Sequence, residues 1–175
     1  MMITDGNEKI DRSWADHIGG VGGSRGVAAA LAAGAAGVRM GTRFLAASES
    51  GVHPLYREAL IAASADDSVM TDEFRSDWPD ELSSSRCYGR SFRQRTTSTA
   101  IWAGELAIGL STMPVSRFST APPVPGSSGA IEAMARYAGE SVRFVRSEES
   151  ATEIVLRVAE GAKQLLRKPL RAHIA

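Results

Sequence analysis

Five glycines within eight residues constrain this 175-residue chain more than any other feature of its sequence. The cluster comprises Gly19, Gly20, Gly22, Gly23 and Gly26. Because glycine is costly inside a regular element, the cluster predicts a turn or a loop that cradles a ligand. Residues 27–37 follow directly, and their alanines and leucine predict a helix. We expect Ser24 to be its N-cap and Gly34 or Gly37 to end it in a left-handed conformation.

The periodicity of the remaining chain predicts an α/β protein. Short apolar runs at 38–40 and 68–70 predict strands, and Pro54 is placed to begin a helix with Leu55, Leu60 and Ile61 as apolar positions. Two further helices are predicted over 130–137, closed by Gly139, and over 149–166. The second is amphipathic, with its apolar face at Ile154, Val155, Val158, Ala162 and Leu165.

Changes in composition divide the chain into four segments. They are an atypical N-terminal segment at 1–16, the glycine loop and its neighbouring elements at 17–75, an irregular insertion and linker at 76–127, and C-terminal helices at 128–175. The third segment is rich in Ser, Arg, Thr and Pro and has no convincing period.

The order of glycine loop, helix, strand and Gly41-Thr42 suggests two successive turns at one end of a parallel sheet. A helix N-terminus beside such turns can bind a phosphate, and βα-barrels often hold one after the seventh and eighth strands. Spacing alone nevertheless favours an ordinary structural turn. Arg25 stands where a dinucleotide-binding fingerprint needs glycine, and no Gly-Lys-Ser/Thr follows for a P-loop.

Composition excludes several other classes of function. Lys and Arg together number 20, as do Asp and Glu, which argues against a nucleic-acid partner. A single cysteine, Cys87, and the lack of an apolar run of about 18 residues predict a cytoplasmic chain without a membrane span. The dispersed His17, His53 and His173 have no metal-ligand spacing. We expect a structural or capping role for His53, an incidental one for His17, and no nucleophilic role for Cys87.

Residues 18–60, IGGVGGSRGVAAALAAGAAGVRMGTRFLAASESGVHPLYREAL, closely resemble the corresponding segment of nitronate monooxygenases (2-nitropropane dioxygenase-like proteins). Residues 115–166, with VPGSSGAIEAMARYAGESV, resemble the closing region of the same family. The stretches 13–18 and 83–102 depart from the family's pattern, the second through either an altered reading frame or a diverged loop.

The resemblance implies the last two βα units of an FMN-binding (β/α)₈ barrel, followed by a C-terminal helical segment. It implies that Gly19 and Gly20 bind the FMN phosphate from one loop, and that Met40, Gly41 and Thr42 bind it from a second. A complete barrel needs about 250 residues, and the family's catalytic histidine lies in the part without a counterpart here, so no catalytic residue is assigned.

The resemblance also implies an activity, the oxidation of alkyl nitronates with O₂, and it leaves alternatives open. A related flavin enoyl reductase shares these segments. A non-catalytic remnant or interaction module would self-associate, or would pair with a partner chain that supplies the rest of the barrel. A phosphate-binding domain of unrelated fold is a weaker alternative. Arg43 is expected either to neutralise a phosphate or to pair with Glu49 or Glu58, and whether Tyr137 and the following AGES line a pocket stays open.

Overall fold

The computed structural model describes residues 21–71, 89–92, 102–108 and 110–168. Its helices are α1 (Ser24–Ala32), α2 (Thr42–Leu45), α3 (Pro54–Ala62) and α4 (Ala151–Arg167). Its strands are β1 (Ser68–Thr71), β2 (Gly89–Phe92), β3 (Trp102–Ile108), β4 (Ser111–Ser116) and β5 (Ser128–Gly129). Short 3₁₀ helices cover Ala65–Asp67, Ile131–Ala133 and Glu140–Phe144. The described part of the chain is therefore mixed α/β.

Helix α1 begins at Ser24, one residue earlier than predicted. Gly23, in an extended conformation, is the N-cap, and its carbonyl accepts the first helical bond from Val27 N–H at 3.2 Å. The prediction that Ser24 caps the helix is wrong, because Ser24 is already the first helical residue. The other end follows the prediction: Gly34 has φ +96°, and the N–H of Ala35 bonds back to the carbonyl of Ala30.

Residues 38–40 form no strand ladder in the described part of the chain, so the strand predicted there is not found. Val38 and Met40 are buried while Arg39 between them is exposed, which is the alternation of an extended segment. A strand needs a hydrogen-bonded neighbour, and none of the described residues pairs with 38–40.

Helix α3 begins at Pro54 as predicted, and it packs through Tyr56 and Leu60, which are 1% and 0% exposed. The apolar positions predicted at Leu55 and Ile61 are only partly right, because Leu55 is half exposed and Ile61 packs at the edge of the core. The imidazole of His53 accepts a hydrogen bond from Leu55 N–H at 3.2 Å, so the capping role expected of this histidine is confirmed.

The amphipathic helix predicted near the C-terminus is α4. Ser150 and Glu153 form a capping box at its start. Its buried face consists of Ile154, Val158 and Ala162, which pack against Val27 and Ala28 of α1. Val155 and Leu165, which we expected on that face, are 44% and 36% exposed. The buried stripe of α4 is therefore narrower than predicted.

The close approach of α1 and α4 depends on a small residue. A Cβ atom on Gly161 would lie 2.3 Å from Oγ of Ser24 and 2.8 Å from its Cβ. No side chain fits in that gap, so glycine permits the crossing of the two helices.

Strand β1 confirms the strand predicted over 68–70. Strands β2, β3 and β4, however, lie within 76–127, for which we predicted no regular structure. β1 pairs with β2, and β4, β3 and β5 form an antiparallel sheet in that order. In β3, Gly104 interrupts the alternation of side chains because β5 approaches it closely: a Cβ on Gly104 would lie 2.0 Å from the carbonyl oxygen of Ser128. The helix predicted over 130–137 is also wrong, since only Ile131–Ala133 is helical and that turn is 3₁₀. The four-segment division of the chain stays a prediction.

Candidate functional site

The second predicted phosphate loop, residues 40–42, presents its backbone at the surface. Gly41 is exposed, and a Cβ atom placed on it would have no neighbour within 4 Å in the part of the chain that the structure describes. The side chain of Met40 is buried in the core between α1 and α4. Met40 therefore offers only its backbone to a ligand, whereas Gly41 leaves open space beside it.

Thr42 connects this loop to a distant part of the chain. Its hydroxyl oxygen accepts a hydrogen bond from the backbone N–H of Gly139 at 3.0 Å. Since a hydroxyl has one proton and two lone pairs, this bond occupies a lone pair. Among the described residues the Thr42 proton has no acceptor, so it is available to a ligand.

Two other hydroxyls anchor the residues just before Gly139. Tyr56 Oη donates to the carbonyl of Tyr137 at 2.5 Å, and Ser68 Oγ donates to the carbonyl of Ala138. Burial raises the pKa of Tyr56 above its ordinary value, which keeps this donor protonated. Residues 137–139 are thus tied, one after another, to Tyr56, Ser68 and Thr42.

The first glycine loop is only partly described. Gly19 and Gly20, the predicted phosphate ligands of this loop, lie outside the described residues. A Cβ on Gly22 would lie 2.7 Å from the Phe144 ring, and one on Gly23 would lie 3.2 Å from it. The space beside Gly22 and Gly23 is therefore filled by Phe144, and these two glycines allow its ring to pack closely on the backbone. Among the described residues no side chain caps helix α1 behind them, and the first N–H groups of a helix have no partner inside it.

Residues 139–144 join the two loops. Gly139 is bonded to Thr42, while Ser141 and Phe144 pack on Gly22. The AGES motif therefore contacts both Thr42 and Gly22, and whether it lines a pocket stays an open question of the sequence analysis. Tyr137 just before them is held by its own bond, since its hydroxyl donates to Thr120 O at 3.0 Å. The sequence contained no periodic signal for this role.

Arg43 is 2% exposed and forms an ion pair with Glu149. Its predicted partners, Glu49 and Glu58, are therefore wrong. Glu149 also pairs with Arg157 at 2.5 Å, so one carboxylate serves two guanidinium groups. Burial lowers the pKa of Arg43, and the attraction of Glu149 acts in the opposite direction. Arg43 Nη1 is buried and has no hydrogen-bond partner among the described residues.

The structure does not place the remaining candidates. His17, Cys87 and His173 lie outside the described residues. Within the described ranges, no cluster of His, Cys, Asp and Glu side chains could hold a metal ion. No helix in those same ranges has the length and apolar character needed to cross a membrane.

Known proteins resemble most of this chain. Residues 17–161 match the sequence profile of the family described as nitronate monooxygenase. The nitronate monooxygenase npaC of Metarhizium robertsii is 31% identical over 155 residues, which cover 85% of this chain and 41% of that protein. The nitronate monooxygenase of Neurospora crassa is 25% identical over 173 residues, covering 95% of this chain and 44% of that protein.

Solved structures show a similar arrangement. A FabK (M276A) mutant from Thermotoga maritima superposes with a TM-score of 0.57 and 27% identity over 85% of this chain and 40% of that one. The family and this structural neighbour imply a TIM-barrel-like fold for the chain. The chain spans about two fifths of the length of the curated relatives that it matches along most of its length. From the matched residues and the relative that is 31% identical, this chain belongs to the nitronate monooxygenase family.

Proposed function

We propose that this chain carries the phosphate-binding part of an FMN site in an oxidoreductase that oxidises alkyl nitronates with O₂. The observation that carries the proposal is the exposed Gly41, which has open space beside it among the described residues. It is followed directly by Thr42, whose hydroxyl proton has no acceptor in the same part of the chain. Both lie in the segment that matches the family profile. The last two βα units of the barrel are the proposed setting of this site.

The residues present fit a phosphate group. A dianionic phosphate needs donors and little steric hindrance, and Gly41 and Thr42 offer a backbone N–H, a hydroxyl and unobstructed space. The uncapped start of α1 adds N–H groups and a partial positive charge. Gly19 and Gly20 complete the proposed ligand set. Arg43 is left out of it, because its guanidinium is paired with Glu149.

The roles of this chain's residues are binding and orientation. FMN, when bound, supplies the electron-accepting chemistry of the family. Gly41, Thr42 and the α1 N-terminus would hold the phosphate, and the bond from Gly139 to Thr42 orients the threonine hydroxyl. No residue of the chain is proposed as the general base.

A second candidate function is that of a related flavin enoyl reductase. It is supported by the structural likeness to FabK at 27% identity. Both candidates use the same phosphate site, so they differ only in the substrate. Nitronate-dependent O₂ consumption by the full catalytic assembly supports the first candidate, and enoyl-thioester reduction supports the second.

The phosphate site is tested by titrating the purified chain with FMN and following the quenching of flavin fluorescence. Riboflavin, which lacks the phosphate, is the matched ligand. Gly41→Val, which places a branched side chain in the open space beside the loop, is the matched variant. We expect saturable binding of FMN, weaker binding of riboflavin, and loss of the difference in the variant. A folded chain that binds the two flavins equally would contradict the proposal.

A further inference from the structure

A small notch beside Gly139 faces two hydroxyl groups. Among the described residues, a Cβ atom placed on Gly139 would have two neighbours within 4 Å, Oγ1 of Thr42 at 3.5 Å and Oγ of Ser141 at 3.9 Å. Both distances are ordinary contacts, so a methyl group would fit there without displacing protein atoms. The space is therefore open, and it is bordered by oxygens rather than by carbon atoms.

The backbone conformation at position 139 does not require a glycine. Gly139 has φ −79° and ψ 172°, an extended conformation that any residue adopts. In contrast, Gly104 and Gly129 have positive φ and backbone atoms pressed against their faces. Of these glycines, Gly139 alone could carry a side chain without strain, so what its lack of a Cβ provides is the space itself.

The two hydroxyls beside the notch each have a proton to donate. Thr42 uses a lone pair for Gly139 N–H, and its proton has no acceptor among the described residues. Ser141 is 5% exposed, and its hydroxyl has no hydrogen-bond partner in the same part of the chain. Two hydroxyl protons without an acceptor in the described part of the chain, both beside one open space, are therefore available to an acceptor from a ligand.

We propose that Gly139 and Ser141 form a third wall of the phosphate site, in addition to the glycine loop at 19–26 and the loop at 40–42. In this wall the Ser141 and Thr42 hydroxyls donate to one phosphate oxygen placed beside Gly139. This inference rests on the proposed function and extends it to a segment about 100 residues further along the chain. Ser141 also packs on Gly22 at the other loop. The wall would therefore close the site between the two glycine loops.

The inference is tested with Gly139→Ala, which places a methyl group in the notch, and with Ser141→Ala, which removes one donor. Gly51→Ala is the matched control, because Gly51 also has open space and no positive φ. Each variant of the full chain is titrated with FMN and with riboflavin, and its melting temperature is measured without ligand.

We expect Gly139→Ala to weaken FMN binding about tenfold or more, the size expected for a lost hydrogen bond to a charged oxygen. Its melting temperature should equal or exceed that of the wild type, as for Gly51→Ala, because alanine restricts the unfolded chain at a compatible position. Ser141→Ala should weaken FMN binding similarly. Riboflavin binding should change little in either variant.

Two outcomes would overturn the inference, and they are distinguishable. If Gly41→Val abolishes the preference for FMN while Gly139→Ala and Ser141→Ala bind FMN as the wild type does, the phosphate site stands and its third wall does not. If the wild-type chain itself does not distinguish FMN from riboflavin, the proposed function fails and this inference fails with it.

Discussion

The hydroxyl of Thr42 accepts the backbone N–H of Gly139 at 3.0 Å, across 97 residues of chain. Tyr56 and Ser68 donate to the carbonyls of Tyr137 and Ala138. Together these three hydrogen bonds hold residues 137–139 beside the loop at 40–42. A threonine that the resemblance assigns to a ligand is therefore also a structural acceptor. The two roles use different parts of the hydroxyl, a lone pair for the protein and the proton for a ligand.

Thr42→Val should destabilise the fold, whereas Thr42→Ser should not. Valine keeps the shape of threonine but leaves the Gly139 N–H, which is partly buried, without an acceptor. The expected loss is about 1–3 kcal/mol of the free energy of unfolding. Urea denaturation of the two variants measures it. A loss for Thr42→Ser with little or none for Thr42→Val would show that the methyl group, and not the hydrogen bond, holds the segment.

Glu149→Ala should cost far more stability than Glu148→Ala. Glu149 is the counter-ion of Arg43, whose side chain is 3% exposed, and removing one partner of a buried pair costs about 3–5 kcal/mol. Glu148 is 47% exposed and pairs with Arg57, so its loss should cost at most about 1 kcal/mol.

A double variant tests whether the loss in Glu149→Ala comes from the ion pair with Arg43. In an Arg43→Met background, Glu149→Ala should lose most of its effect on the urea midpoint, since the buried charge is gone. If Glu149→Ala costs the same in both backgrounds, the loss comes from Arg157 or from packing, and the Arg43 pair does not stabilise the fold.

The start of α4 should make the fold sensitive to acid. Hydrogen bonds from Ala151 N–H and from Ser150 lower the pKa values of Glu49 and Glu153 below their ordinary value of 4.5. A carboxylate whose pKa is lowered by folding stabilises the folded state above its unfolded pKa, and that stabilisation is lost as the pH falls through the folded pKa. The loss should therefore occur below about pH 4.5.

Urea midpoints measured from pH 7 down to pH 3 test this sign. Glu153→Gln keeps a side chain that can complete the capping box but cannot titrate, so a double variant with Glu49→Gln should show a flatter acid limb. An unchanged acid limb in the double variant would assign the acid sensitivity to other groups.

Gly161→Ala should weaken the packing of α1 on α4. The added methyl would meet Ser24 at 2.3 Å from Oγ and 2.8 Å from Cβ. Overpacking costs about 1–3 kcal/mol, against about 1 kcal/mol gained in helix propensity. In a Ser24→Gly background the same substitution should become neutral or stabilising, since the clash is removed. A melting temperature that rises in both backgrounds would contradict the close approach.

Several elements follow from neighbouring residues and were predicted correctly. Pro54 begins α3 with His53 as its cap, the start of α4 lies near its predicted position, and Gly34 ends α1. Each depends on hydrogen bonds or backbone preferences within about four residues, which a sequence pattern contains. The family resemblance is of the same kind, because its motif is a continuous run of residues.

The errors concern elements whose form depends on distant partners. Residues 38–40 alternate like a strand but form no ladder in the described part of the chain, and the β3–β4 hairpin has glycine where a periodic side chain would reveal it. The pairing of Arg43 with Glu149 rather than with Glu49 joins residues 106 apart. Local spacing contains no information about which of several glutamates the fold brings near.

The candidate site likewise has residues that the sequence identifies and residues that only the fold brings to it. Its glycines and Thr42 are recognisable in the chain, since a loop that approaches a phosphate needs residues without a Cβ and a hydroxyl donor. The placement of Gly139 and Ser141 beside Thr42 arises from packing, because three hydroxyls from separate elements hold that segment in position. Sequence therefore specifies the chemistry of each loop, while the folded core specifies which loops meet, since contacts between residues far apart depend on the whole topology.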